Sequence, residues 1–444
     1  LRGVMDVFML GEKMNIAGIM GFAIMVVMSV CLLNTKWPPG IIFIAVPVIA
    51  GVLAGASAAE IAVYVWMGMK AVLPLAIMFS CAVIFFALLN ETGMFIYTAI
   101  KMKQRVKDNK AGIFFMTVFI SVIAHLSGSG MVSYLIVITA CRTLYEQKGI
   151  PLAKLMCLSS LTFGVVNMVP WAGPCGRVAS ALQLDAAEIW RKCIPSQLFG
   201  ICLVLLVGYI LSKKGDEAKN AESEKEVLKK KALEEKHMIP VKPDHFMFYV
   251  SCMAISIVIL AVTHIPPFAV FMVGSGVLMT VDFKGKRKEL LLKYLYQART
   301  MTFTVLASGF LVGIVTYSPM LGGMTEMISC LLPQSLETYP HILLGIASNP
   351  ISWVLSGEAE IFGLLPIAAK LAAARGITPE ITGAAFLIPY SAVVFVLPAT
   401  ISVHLGLSMC NMSFKEHAKE TYRWSVLCSI GMLAFAVLTG VIPL

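Results

Sequence analysis

The sequence predicts an all-α integral membrane protein with about ten spans, folded as two inverted repeats that each carry a re-entrant hairpin and a broken helix. Three observations lead there. Of 444 residues, 58% are hydrophobic and 14% charged, against about 25% charged in soluble domains, and the mean hydropathy is +0.85. The apolar runs are continuous and number about ten near the roughly 20 residues that cross a bilayer, which argues against the alternating strands of a β-barrel. Finally, one stretch occurs twice.

That stretch is His125-Leu-Ser-Gly-Ser-Gly130 through Trp171-Ala-Gly-Pro-Cys-Gly-Arg177. Its first part reads as an apolar hairpin with a Gly/Ser tip, its second as a membrane helix interrupted by Pro170, Gly173, Pro174 and Gly176. Bilayer interiors tolerate broken backbone only where it is buried in protein or lines a wet cavity. Leu144-Tyr-Glu-Gln-Lys-Gly-Ile150 and Leu371-Ala-Ala-Ala-Arg-Gly-Ile377 precede the two broken helices, and their glycines lie 227 positions apart. The same offset sets Ser129-Gly130 against Ser356-Gly357 and Pro170 against Leu397, beside Pro398. Three matches at one offset signal an internal repeat.

In chain order, spans are expected at 15–33, 41–53 and 71–89, with an amphipathic surface piece at 55–70 and a basic arm at 101–107. Hairpin 111–142 has arms too short for a crossing. Broken helix 155–182 and a span at 193–211 complete the first membrane repeat, 1–212. Residues 213–244, the only long polar stretch, form a cytoplasmic linker. The second repeat, 245–444, has spans at 246–263, 267–281 and 301–317, a basic surface helix at 284–299 and an outer loop carrying Glu326 and Glu337. Hairpin 341–371, broken helix 381–405 and a last span at 422–442 follow.

The net charge of +10 fits orientation by cytoplasmic Lys and Arg rather than nucleic-acid binding. With the N-terminus outside and five crossings per half, the arm, the 142–154 loop, the linker, the 284–299 helix and Lys415/Lys419 all fall on the cytoplasmic side. Five crossings invert the second half, so the hairpins enter from opposite faces. The eleven cysteines lack zinc-type pairing and read as small apolar residues.

Candidate binding residues cluster at tips and breaks. Arg177 lies a turn beyond the Pro170–Pro174 break, where a charge is costly and its guanidinium suits a carboxylate. Ser129, Gly130, Ser133, Ser356 and Gly357 offer hydroxyls and N–H groups at the tips, and half-helix N-termini attract anions. Asn167, Trp171, Gly173 and Thr400 flank the breaks. Glu358 and Glu360 are candidates for a coupling proton, sodium ion or divalent metal. Lys70 is a second candidate cationic contact, whereas His125 and His404 read as packed side chains. No P-loop, nucleophile elbow or metalloprotease motif is present, so the chain reads as no enzyme and its work would run on an ion gradient.

At these motifs the chain resembles the citrate–metal–proton symporter family of the wider ion-transporter superfamily, from about Ile16 to Ala436. Asn167-Met-Val-Pro-Trp-Ala-Gly-Pro-Cys-Gly-Arg177 is similar to the family's Pro-Trp-Gly-Gly-Pro-Thr-Ala-Arg segment. Ser356-Gly-Glu-Ala-Glu-Ile-Phe-Gly-Leu-Leu-Pro366, Leu397-Pro-Ala-Thr400, the Gly313 region and Ser413-Phe-Lys-Glu-His417 also fit. The resemblance implies uptake of citrate or a related di- or tricarboxylate by elevator-like movement of the hairpin-bearing core. Where the family's first tip has Asp-Gly-Asp-Gly, this chain has Ser127-Gly-Ser-Gly130, and Gly-Glu stands for Asn-Asp at the second. Losing two acids removes hard oxygen ligands for a metal-bound citrate. The expectation is therefore a free carboxylate carried by symport with H+ or Na+, without a covalent cofactor, in the inner or plasma membrane. The alternative is a cation/proton antiporter or other inorganic-ion transporter of the same superfamily. Expected partners are a small carboxylate and membrane lipid, not nucleic acid; a homodimer stays open.

Overall fold

The computed structural model describes residues 2–34, 37–105, 109–213, 243–331, 338–353, 355 and 357–444. Every regular element among them is a helix. The first half runs α1 (Arg2–Asn34), α2 (Pro39–Leu53), α3 (Ala58–Glu91), α4 (Met94–Arg105), α5 (Lys110–His125), α6 (Gly130–Gln147), α7 (Leu152–Val166), α8 (Gly173–Leu182) and α9 (Ala186–Lys213). The second half runs α10 (Phe246–Val262), α11 (Pro267–Val281), α12 (Arg287–Tyr317), α13 (Met320–Leu331) and α14 (Pro340–Ile351). One helical turn (Gly357–Ala359), a π-helical turn (Glu360–Leu364) and α15 (Leu365–Ala373) return from α14; α16 (Pro379–Val394), α17 (Ile401–Met409) and α18 (Phe414–Leu438) follow. The expected linker falls almost wholly on 214–242, outside the described residues, as do Glu337 and Ser356.

The 227-residue offset relates whole helices. Adding it to the bounds of α3 gives 285–318, against Arg287–Tyr317 for α12. Shifted in the same way, α7 becomes 379–393, against Pro379–Val394, and α9 becomes 413–440, against Phe414–Leu438. The loop glycines that revealed the offset do the same job. Gly149 (φ 64°) and Gly376 (φ 79°) sit in the left-handed region, each closing a helix. Ile150 N–H donates to Tyr145 O and Gly149 N–H to Glu146 O; Ile377 donates to Ala372 and Gly376 to Ala373. This double bond pattern needs a residue free of Cβ strain at its centre.

Both central helices are broken where expected. α7 stops at Val166 and α8 restarts at Gly173 with Pro174 in its first turn; α16 stops at Val394 and α17 restarts at Ile401. The hairpins and broken helices pack with α9 and α18 into one group. In the other, α3 and α12 lie together, flanked by α11 and α2. Their backbones nearly touch: a Cβ on Gly309 would lie 2.9 Å from Met69 Cα, and Gly68 faces Gly309 and Gly313. Small residues at such crossings are what lets membrane helices approach.

Three expectations are corrected. Residues 55–70 are no separate surface piece; they enter α3, which begins with a capping box in which Ser57 N–H donates to Glu60 Oε2 at 2.8 Å. Residues 284–299 and 301–317 are likewise not two elements, because α12 runs unbroken. At about 1.5 Å per residue such helices reach ~50 Å, beyond the ~30 Å apolar slab, so their polar ends need no break. Glu326 lies on helix α13, not in a loop. Among the described residues four helices, α3, α9, α12 and α18, are long and apolar enough to cross alone, and seven shorter apolar helices accompany them. All eleven cysteines are free.

Candidate functional site

Broken helices strand carbonyl groups at membrane depth, where each must find a donor. At the first break, Gln197 Nε2 on α9 donates to both Val165 O and Val166 O, each at 3.1 Å. At the second, His417 Nε2 on α18 meets Phe395 O at 3.0 Å, Ser425 Oγ donates to Ala392 O at 2.6 Å and Thr400 Oγ1 to Val394 O at 2.6 Å. The breaks are thus held open by built partners.

The hairpin tips converge on these breaks. A Cβ on Gly130 would come within 2.9 Å of Ser402 Cβ, and Gly128 abuts Trp171. His125, fully buried, links the first tip to the first break: its Nδ1 is 2.8 Å from Ser133 Oγ and its Nε2 3.2 Å from Asn167 Oδ1. Ser133 also donates to Ser129 O at 2.6 Å. The His125 ring stacks on Phe163 and meets Phe395 edge-on. Trp171 Nε1 donates to Leu126 O at 2.8 Å, while its ring packs between Phe86, Phe271 and Trp190.

At the second tip, Glu358 reaches back to the first half: Arg177 Nη1 on α8 donates to its Oε1 at 3.3 Å. Arg177 Nε is buried and has no hydrogen-bond partner among the described residues. The pair lines a cavity of about 70 Å³ with Gly173, Ser308, Phe43 and Phe79. Tyr390 on α16, whose hydroxyl lies against Gly357, interacts electrostatically with Arg177, Glu358 and Glu360. Glu360, fully buried, starts the π-helical turn and accepts from Ser352 Oγ at 2.9 and 3.0 Å. Such turns recur at functional sites.

The structure therefore gathers Gly173, Arg177, Gly357 and Glu358 at or beside one cavity, with Glu360 behind them. It places Ser129, Gly130, Ser133, Asn167, Trp171 and Thr400 in the internal network that braces the tips and breaks. Ser356 is outside the described residues. Lys70 and His404 are exposed, His404 Nε2 bonding Pro398 O at 2.7 Å. Sequence reasoning missed Gln197, Tyr390 and His417. Their signal, a polar side chain inside an apolar span, was present, but the partners, backbone carbonyls for Gln197 and His417 and the distant Arg177 and Glu358 for Tyr390, are ones that no spacing reveals.

A family model described as "Citrate transporter" matches residues 7–443. The chain belongs to the citrate transporter family. Members similar to it include the citrate transporter of Bacillus subtilis, 27% identical over 96% of this chain and 99% of that one. The Mg(2+)/citrate complex secondary transporter of the same organism is 24% identical over the same shares. The solved YdaH transporter of Alcanivorax borkumensis shares the fold, with a TM-score of 0.57 at 13% identity over 85% of this chain and 89% of that one. The citrate transporter family thus accounts for a multi-pass, all-α plasma-membrane protein whose substrate is a small carboxylate.

Proposed function

We propose that this chain is a secondary active symporter for citrate or a related di- or tricarboxylate, driven by protons or cations. The supporting observation is Arg177: a guanidinium in the second turn of a half-helix, facing a cavity, with a buried donor that no group among the described residues accepts. Five donors in a planar fork suit a carboxylate, and an idle buried donor is costly unless a ligand takes it. Gly173 and the second tip, Gly357 with Ser356, would complete the substrate side. Ser129, Gly130, Ser133, Asn167, Trp171 and Thr400 would hold the breaks in place, and Glu358 with Glu360 would carry the coupling charge.

The two repeats, 1–212 and 245–444, are read as inverted, with the hairpin-bearing group moving as an elevator past α3 and α12. Citrate uptake by proteoliposomes under an imposed proton or sodium gradient tests the reading. Arg177→Ala is expected to abolish uptake while still inserting; near-normal uptake would reject its role. One relative is named for the Mg(2+)/citrate complex, so metal would enter here as cargo. Among the described residues no three His, Cys, Asp or Glu side chains group as metal ligands, and the first tip carries serines. Uptake that is independent of Mg2+ is the expected result.

A further inference from the structure

Glu358 sits where a substrate carboxylate is wanted. Its Oε1 takes one Arg177 donor at 3.3 Å, across the boundary between the two halves of the chain. The remaining guanidinium donors include the buried, unmatched Nε. The cavity at the pair is about 70 Å³. A substrate carboxylate that takes the guanidinium fork competes with Glu358 for the same donors. Glu358 can swing away, because it stands in the first turn of the helical run 357–373, at a hairpin tip, rather than in the middle of a helix.

We propose that Glu358 is an internal stand-in for the substrate: it occupies Arg177 in the empty transporter, the incoming carboxylate displaces it, and the released Glu358 takes up the co-transported proton or cation. This rests on the symporter reading and specifies how its one site couples two solutes. The charge count explains why. Empty, Arg177 and Glu358 neutralise each other. With a substrate carboxylate on Arg177, Glu358 is left with an unpaired negative charge in a partly buried place, which is costly. One positive charge arriving on Glu358 offsets the one substrate carboxylate that Arg177 holds, so that carboxylate without an ion, or an ion without it, is disfavoured; the substrate's remaining carboxylates need charge of their own. The charged or titratable groups facing Glu358 are Arg177 from α8, Tyr390 from α16 and Glu360 from its own hairpin. The surrounding side chains from α1, α2 and α3, Met25, Phe43 and Phe79, are apolar, and α12 adds Leu311 with the uncharged hydroxyls of Thr304 and Ser308, so among the described lining residues no other cation is at hand to neutralise it.

The test is calorimetric citrate binding to the purified full chain in lipid nanodiscs, at neutral and acidic pH, with and without sodium. Removing the competitor, Glu358→Gln is expected to bind citrate about tenfold tighter at neutral pH and to lose the proton or sodium dependence of binding. In proteoliposomes it is expected to exchange citrate for citrate but not to accumulate it. Unchanged or weaker citrate binding by Glu358→Gln overturns the proposal. If that variant does not fold, Glu358→Asp keeps the charge on a shorter arm; it is expected to bind citrate more tightly than the parent chain while keeping the ion dependence, and weaker binding again overturns the idea. Arg177→Ala separates the two levels: if it binds citrate like the parent chain, the underlying site assignment has failed, whatever Glu358 does.

Discussion

Gly164 rests against Ser391, the residue 227 positions later and its own counterpart in the second half of the chain. A Cβ on Gly164 would lie 2.9 Å from the carbonyl oxygens of Ser391 and Ala392. The two broken helices therefore cross within a turn of each break, Gly164 three residues before Asn167 and Ser391 four before Phe395, where α7 and α16 end. This crossing brings the two discontinuities together.

Gly164→Ala is expected to force the helices apart. Overpacking of a tight contact costs about 1–3 kcal/mol, and here the obstacle is backbone, which cannot rotate away. Thermal unfolding in detergent should show a clear drop, with transport lost in parallel. Gly208→Ala is the control, because its added carbon would meet Leu158 and Phe114 at an ordinary 3.7 Å. Equal behaviour of the two variants would contradict the crossing.

Gln197 donates to two carbonyls at one break. Gln197→Leu keeps the bulk, removes both bonds and also strands Trp190 Nε1, which donates to Gln197 Oε1 at 2.9 Å. Each buried carbonyl left without a donor costs about 1–3 kcal/mol, so the variant should unfold at a distinctly lower temperature. An unaltered melting curve would mean that water or another group serves the break.

Much of the architecture was legible because its causes are local. The offset appeared in Gly149 and Gly376 because a helix closed in this way needs a left-handed residue, and glycine shows in the sequence. The breaks appeared because Pro170, Pro174 and Pro398 cannot continue a helix. The long α3 and α12 were missed because Lys70 and the 284–299 charges look like span ends, whereas a helix can carry charges past the bilayer surface. The Arg177–Glu358 pair was out of reach: both residues stood out, but 181 positions separate them and no periodicity joins them. The sequence offered Ser133 and Asn167 as candidates at a tip and a break, and could not show that both bond to His125.

His125 ties the first hairpin to the first break through Ser133 and Asn167, and His125→Phe isolates those bonds. The new ring keeps the packing against Phe163 and Phe395 but offers nothing to Ser133 or Asn167. The expected result is a destabilisation of about 1–3 kcal/mol and a raised KM for citrate, with the protein still inserted. Wild-type melting and KM would reduce His125 to a filler of space.

The proposed inversion of the two halves makes a prediction about faces of the membrane. Gln147 and Ala374 are exposed and occupy equivalent places, 227 residues apart, at the returning ends of the two hairpins. With an odd number of crossings between them they must open on opposite sides. The positive-inside rule puts Gln147, beside Arg142, Lys148 and Lys154, in the cytoplasm. In a chain whose native cysteines are replaced by serine, Ala374→Cys should react with an impermeant maleimide added to intact cells. Gln147→Cys should react only after the membrane is opened. Labelling of both positions from the same side would remove the inverted repeat, and with it the elevator.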